Sequence, residues 1–172
     1  MKYLLVLFIS LISTIGFSQE LNVGVELGQV VNYKIPTVGA SIEYRPYKSM
    51  VSINANPYLL MGSNHNPILT LPLYLKFNFG KRIKVCPDLG AYIRSIGNHG
   101  LITGLTLEYN ILDNFWVYTN GSYMTENYKQ IRPGKFGGSN EYWSSESLYM
   151  FSIGVKKNIF RKPIEPNLNN KK

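Results

Sequence analysis

The chain has 172 residues, 45% of them hydrophobic and 16% charged, and its formal net charge is +8. This length holds one domain or one small barrel, and no linker divides it in two. The single cysteine, Cys86, excludes an intrachain disulfide. The positive charge does not indicate a nucleic-acid partner, because the N-terminus carries an export signal.

The N-terminal segment, residues 1–18, has the pattern of a secretory signal peptide. Lys2 supplies a charged start, residues 3–15 form an apolar run, and the small residues Gly16 and Ser18 precede Gln19. A membrane-spanning helix needs about 20 apolar residues, so this segment is short for an anchor. We therefore expect the mature chain to begin near Gln19.

Beyond the signal, apolar and polar residues alternate in one segment after another. The clearest example is residues 69–79 (LTLPLYLKFNF), in which every odd position is a large hydrophobe. A period of two places alternate side chains on one face of a β-strand. The pattern predicts eight strands, at residues 21–31, 37–46, 50–59, 69–79, 83–94, 100–110, 115–126 and 148–158.

These strands predict an all-β fold, an eight-stranded antiparallel up-and-down transmembrane β-barrel over residues 19–160. The strands have the length of tilted membrane strands, about 9 to 11 residues. No long apolar run follows the signal, and only a closed barrel satisfies the backbone of strands in lipid. Short connections after the second, fourth and sixth strands predict periplasmic turns, and the longer ones predict external loops. Residues 161–172 are expected to form a basic, disordered tail.

The alternation assigns rows of aliphatic and aromatic residues to lipid and a mostly polar set to the interior. An eight-stranded barrel has room inside for side chains but not for an open pore. Buried charges are tolerable only when they are matched, so we predict interior ion pairs. They would form among Glu26, Glu43, Asp88, Glu108, Arg45, Lys76, Arg94 and Lys156.

Two irregularities accompany this assignment. Tyr58 and Tyr92 fall on the polar face, which makes them candidates to fill the interior. The strand at residues 115–126 has large apolar residues on both faces, so a bulge is predicted within it.

The longest predicted connection, residues 127–147, is the candidate binding surface. Its composition combines aromatic anchors with adaptable polar residues, as binding loops do. The residues proposed for contact with an external ligand or protein are Tyr128, Arg132, Lys135, Phe136, Tyr142 and Trp143. A nonspecific cover over the barrel mouth is the other interpretation, and both stay open.

His65 and His99 lie in or beside predicted external loops, where a histidine could serve as base for a serine. Neither has a recognisable deacylase signature around it, so no catalytic residue is assigned. Two separated histidines without a carboxylate cluster do not make a zinc site. We expect neither a metal nor a cofactor.

Several motifs resemble the small outer-membrane β-barrel proteins of Bacteroidota, the PorT-like or porin-family barrels. Residues 71–77 (LPLYLKF) are similar to that family's central "IPLLLKY" strand, and residues 89–92 (LGAY) to its next "GxGPYxGY" strand. Residues 104–109 (GLTLEY) and 154–156 (GVK) extend the likeness. The resemblance implies an outer-membrane barrel, but carries over neither conduction nor a role in secretion. Family members typically end on an aromatic residue, whereas twelve residues follow Phe160 here.

The combined prediction is a non-enzymatic, plugged barrel in the cell outer membrane, surrounded by lipid and monomeric, with a structural or surface-binding role. An outer-leaflet lipid A-modifying enzyme is one alternative. A soluble, lipocalin-like periplasmic barrel is another, and its apolar side chains would point inward around a ligand.

Overall fold

The computed structural model describes residues 18–46, 49–62, 66–133 and 139–161. The predicted signal peptide up to residue 17 and the tail from residue 162 lie outside them. The strands are β1 (Ser18–Val30), β2 (Ile35–Pro46), β3 (Val51–Ala55), β4 (Tyr58–Leu60), β5 (Ile68–Phe77), β6 (Phe79–Gly80), β7 (Ile83–Arg94), β8 (His99–Leu112), β9 (Phe115–Pro133) and β10 (Ser139–Arg161). In this part of the chain, no helix is long and apolar enough to cross a membrane.

The strands form a closed antiparallel ring. The order around the ring follows the order along the chain, and β10 returns to pair with β1, from Val30 opposite Met150 to Glu20 opposite Arg161. Both β3 and β4 lie between β2 and β5, and both β5 and β6 pair with β7. Closure gives the strands partners on both sides, so the ring has no long open edge.

A break at Asn56 and Pro57 separates β3 from β4. Proline has no N–H to give to a ladder and is found at such irregularities. The Pro57 carbonyl still takes part in pairing, because it accepts a hydrogen bond of 2.9 Å from the Ala40 N–H on β2. The break therefore interrupts the strand without opening the ring.

The two ends of the ring differ in their connections. One end, which we call the turn end, holds the start of β1, the end of β10 and the tight turn at Asp113 and Asn114. The other end, the hairpin end, holds the 3₁₀ turn Val31–Tyr33, residues 95–98 and the hairpin of β9 and β10. Two of the connections expected to be long, 31–34 and 95–98, are thus tight. The turn after β1 is tight because Lys34 adopts a left-handed conformation with φ of 55°.

The prediction of a long loop at residues 127–147 is wrong for most of its length. There β9 and β10 continue as an antiparallel hairpin, with Asn127 opposite Ser145 and Pro133 opposite Ser139. This extension has no core to pack against, so its sequence lacks the alternation of apolar residues that reveals the other strands.

The bulge predicted within residues 115–126 is not in β9 itself. Pairing of β9 with β10 is continuous, but its pairing with β8 shifts register at Phe115 and Trp116, where the extra residue, Ile111, belongs to β8. Tyr118 and Met124 face inward and are buried. The alternation in β9 looked weak because its inward side chains include the large Tyr118 and Met124 as well as the small polar Asn120 and Ser122.

Side chains alternate between the two faces of the ring. In β5, Leu73 is 58% exposed whereas Lys76 is 3% exposed. Val25, Leu89 and Ile153 are likewise on the outer face, and more than half of each side chain is exposed. An apolar outer face around a polar inner face is the reverse of the arrangement in a soluble, lipocalin-like barrel.

The interior has two chemically different halves. The half near the hairpin end, the apolar layer, consists of Val30, Tyr58, Leu60, Tyr74, Tyr92, Ile102, Met124, Leu148 and Met150. The half near the turn end contains buried acids and lysines. Side chains therefore fill the ring, and Tyr58 and Tyr92 are among them, each 2% exposed.

Candidate functional site

Four charges meet in the buried half near the turn end, and we call them the charged quartet: Glu43, Lys76, Glu108 and Lys156. Lys156 donates hydrogen bonds to Glu43 and, at 2.6 Å, to Oε1 of Glu108. Lys76 donates to Glu108, and its Nζ lies 3.5 Å from Oε2 of Glu43. Two acids and two bases balance each other, as buried charges require. The structure thus brings together four of the predicted interior residues.

Two further predicted acids, Glu26 and Asp88, contact neutral donors instead of bases. Oε2 of Glu26 accepts hydrogen bonds from Asn56 at 3.1 Å and from the Tyr118 hydroxyl at 3.0 Å. Oδ2 of Asp88 accepts from Thr106 at 3.1 Å and Asn120 at 3.2 Å. The expected ion pairs of these acids are therefore not formed among the described residues. Amides and hydroxyls thus contact one oxygen of each acid, whereas Oδ1 of Asp88 is buried without a hydrogen-bond partner among the described residues.

The two predicted arginines pair with acids that the sequence analysis did not select. Nη2 of Arg45 lies 2.5 Å from Oε2 of Glu20 at the turn end. Nη1 of Arg94 lies 2.6 Å and 2.5 Å from the two carboxylate oxygens of Glu126. Both acids fall at positions where the alternation along their strands points side chains inward. Extending that alternation to the strand ends would have identified them.

The hairpin end opens into a cavity of about 420 Å³, which we call the hairpin-side mouth. Its floor is apolar and belongs partly to the apolar layer, with Leu60, Ile68 and Leu148. Arg94 and Glu126 form a polar wall, and the rim carries Tyr33, Tyr128 and Glu146. Nε and Nη2 of Arg94 are buried and have no hydrogen-bond partner among the described residues. The cavity can therefore accept an amphipathic group.

The residues predicted as a binding surface divide between the two faces of the hairpin. Tyr128 and Tyr142 lie on the face that continues the ring interior, and both bond to Gln130, with the Gln130 amide donating to the Tyr128 hydroxyl at 3.1 Å. Trp143 lies on the opposite face and is 57% exposed. Arg132 pairs through its backbone with Asn140. The side chain of Arg132 and the whole of Lys135 and Phe136 lie outside the described residues.

On its outer face, the hairpin packs onto His99. The His99 and Trp143 rings meet edge to face with centroids 5.3 Å apart, and Lys129 lies 5.6 Å from the centre of the Trp143 ring. His65 is outside the described residues. Within the described ranges, no group of three or more possible metal ligands is found.

The turn end opens into a larger cavity of about 760 Å³, which we call the turn-side mouth. Its wall contains Arg45, Lys81, Arg82 and Lys84 together with the acids Glu20 and Asp113. Lys84 is buried, and its Nζ lies 3.9 Å from the centre of the Trp116 ring. None of the residues at this mouth except Arg45 had been selected from the sequence, because most of them lie in or next to turns.

No protein-family model matches the chain, and no curated protein matches its sequence. Solved structures share its fold at low identity. The N-terminal β-barrel domain of Pseudomonas aeruginosa OprF has a TM-score of 0.60 and 12% identity, over 83% of this chain and 98% of that chain. A major outer membrane protein from Thermus thermophilus has a TM-score of 0.55 and 9% identity, over 81% and 98%.

Neisserial surface protein A (NspA) has a TM-score of 0.51 and 10% identity, over 81% of this chain and 95% of that chain. At such identities the likeness establishes the fold and nothing further. The chain has the all-β, antiparallel strand-ring fold of small outer-membrane β-barrels.

Proposed function

We propose that this protein is an eight-stranded barrel of the outer membrane that presents a binding hairpin at the cell surface and has no enzymatic role. The count of eight treats β3 with β4, and β5 with β6, as single interrupted strands, because each pair continues along the same neighbour. The observation that carries the proposal is the apolar outer face around an interior that holds the charged quartet. Such a ring is stable in lipid, because its backbone groups bond internally.

The orientation follows from the connections and the signal peptide predicted at residues 1–18. Outer-membrane barrels have short periplasmic turns and longer external segments. This rule assigns the turn end to the periplasm and the hairpin of β9 and β10 to the outside. The likeness of residues 71–77 to PorT-like barrels of Bacteroidota agrees with this location.

A plugged interior favours a structural or binding role over conduction. The apolar layer and the charged quartet occupy successive levels of the ring, and Ile102, Met124, Glu108 and Lys156 are at most 2% exposed. A barrel of this size has no spare width once its side chains are packed. Solute flow would require both levels to open.

The binding role rests on the hairpin and the hairpin-side mouth. The mouth combines an apolar floor with two donors of Arg94 that have no partner in the described part of the chain, and with the aromatic rim residues Tyr33 and Tyr128. Concave sites with a few placed polar groups are typical of ligand binding. The partner proposed is an external ligand or protein.

Cysteine labelling in intact cells tests membrane location and orientation together. Ser145→Cys lies on the exposed face of the hairpin and Lys81→Cys on a turn at the other end, and both positions are exposed. The native Cys86 is buried and should contribute little background. An impermeant maleimide should label Ser145→Cys in intact cells and Lys81→Cys only after the outer membrane is opened.

Two measurements complete this test. The protein should migrate faster on a gel before heating than after it, and it should fractionate with the outer membrane. In planar bilayers it should show no steady conductance. A protein that is monodisperse in detergent-free buffer would refute the proposal, and equal labelling of both cysteines in intact cells would refute the orientation.

A further inference from the structure

The turn-side mouth carries an excess of positive charge. Four basic side chains, Arg45, Lys81, Arg82 and Lys84, line it against two acids, Glu20 and Asp113. Arg45 and Glu20 balance each other in an ion pair of 2.5 Å. Three bases and one acid then remain around a cavity of about 760 Å³. A concave wall of one charge raises the local concentration of ions of the other charge.

Lys84 lacks a hydrogen-bond acceptor among the described residues, although its side chain is only 6% exposed. The nearest carboxylate atom is Oε2 of Glu108, at 3.9 Å, which is too far for a hydrogen bond. Oε1 of the same carboxylate already accepts from both Lys76 and Lys156. The ammonium has three donors, and its recorded contacts are the 3.9 Å ion pair with Glu108 and the Trp116 ring. An incoming anion would provide the acceptor.

The other basic residues stand at the rim above Lys84. Lys81 and Arg82 form the turn before β7, and both line the cavity together with Lys84. The Arg82 guanidinium lies 5.7 Å from the centre of the Tyr109 ring, and the Arg82 carbonyl accepts a hydrogen bond of 2.9 Å from the Asn110 N–H. These contacts hold the turn beside the cavity. A ligand would thus meet one buried cation and two cations at the rim.

We propose that the turn-side mouth binds a phosphate-bearing anion, with Lys84 as the buried contact and Arg82 and Lys81 at the rim. Phosphate oxygens accept several charge-assisted hydrogen bonds at once, which suits three separate cations. The cavity is larger than a bare phosphate requires, so it can hold a phosphorylated small molecule or the headgroup of a phospholipid. The inference is independent of which end faces the periplasm.

Fluorescence of Trp116 provides a direct test with pyrophosphate as probe. The chain has two tryptophans, and Trp143→Phe leaves Trp116, whose ring contacts Lys84, as the only one. This protein, folded in a phosphate-free, uncharged detergent, is titrated with pyrophosphate. We expect a saturable change in emission. The absence of saturable binding would overturn the proposal.

Substitutions then test the named contacts. In the Trp143→Phe background, Lys84→Gln should weaken pyrophosphate binding at least about tenfold, the effect of losing one charge-assisted contact. The matched control is Lys129→Gln, which removes an exposed lysine at the hairpin end and should leave the affinity unchanged. Equal affinities in the Lys84→Gln protein and its parent would contradict the assignment of Lys84.

Lys84 is buried, so its replacement could prevent folding, which heat-modifiable migration would reveal. The double variant Lys81→Gln/Arg82→Gln changes only exposed rim residues and should also weaken binding by about tenfold or more. If both variants fold and bind as the parent does, the proposal fails.

The source of the phosphate is tested in lipid nanodiscs. Weaker pyrophosphate binding in phosphatidylglycerol than in phosphatidylcholine supports a lipid headgroup, and equal binding supports a soluble anion.

Discussion

Arg94 and Glu126 form an ion pair across β8, although 32 positions separate them in the chain. Arg94 ends β7 and Glu126 lies in β9, so the contact joins two strands that are not neighbours in the ring. Asn98 adds a hydrogen bond of 2.6 Å to the same carboxylate. Two donors, Arg94 and Asn98, therefore fix the Glu126 carboxylate in the polar wall of the hairpin-side mouth.

Gly100 on β8 permits these contacts, because it lies opposite Tyr92 on one side and Glu126 on the other. The Tyr92 hydroxyl donates across β8 to the Thr125 carbonyl at 3.1 Å, and a Cβ built on Gly100 would lie 1.6 Å from that oxygen. We expect Gly100→Ala to lower the free energy of unfolding by about 1–3 kcal/mol, the usual effect of overpacking. Urea unfolding in phospholipid vesicles measures it. Gly62→Ala, where a Cβ meets no atom within 4 Å, is the control and should be nearly neutral.

Glu126→Gln should destabilise the folded protein by about 3 kcal/mol, because it leaves the buried Arg94 charge without its partner. The comparison is Glu141→Gln, which removes an exposed ion pair with Lys129 at 3.4 Å. That change should cost less than about 1 kcal/mol. Urea titrations of both variants in the same vesicles provide the numbers. Similar costs for the two would mean that Arg94 and Glu126 are not an effective buried pair.

Lys156→Met should destabilise by about 3 kcal/mol or more, because Glu43 and Glu108 then share only Lys76 within the quartet. Adding Glu43→Gln should recover part of that loss, since two acids then face one base and the second substitution removes the single excess negative charge. A double-mutant cycle of unfolding free energies tests this coupling. Strictly additive effects would show that the quartet does not act as one charge-balanced unit.

Leu73→Arg places a charge on the outer face of β5, at a residue that is 58% exposed. If lipid covers this face, the cost should be about 2–4 kcal/mol near the middle of the bilayer. Leu112→Arg at the turn end, at a leucine that is 67% exposed, should cost about 0–1 kcal/mol. Refolding equilibria in vesicles compare the two. Near-zero costs at both positions would instead indicate that water surrounds the ring.

Much of this architecture was predictable from local pattern alone. In β5 each outward residue is apolar, so the strand, its faces and the burial of Lys76 follow from the alternation of apolar and polar residues. The same alternation predicted Glu43, Glu108 and Lys156 as interior charges. It could not select their partners, since contact across the interior depends on how the strands are staggered around the ring. Arg45 and Arg94 therefore meet Glu20 and Glu126, acids at the predicted strand ends.

The fold is predictable from the alternation of side chains, because a strand with one apolar face must repeat apolar residues at every second position. This requirement acts within each strand, so the strand can be predicted without knowing which strands pair with it. The hairpin that extends beyond the ring has no such requirement, and its strands are defined only by the pairing of β9 with β10. The two mouths arise at closure, when residues distant in the chain, such as Lys84 and Trp116, reach the same end of the ring.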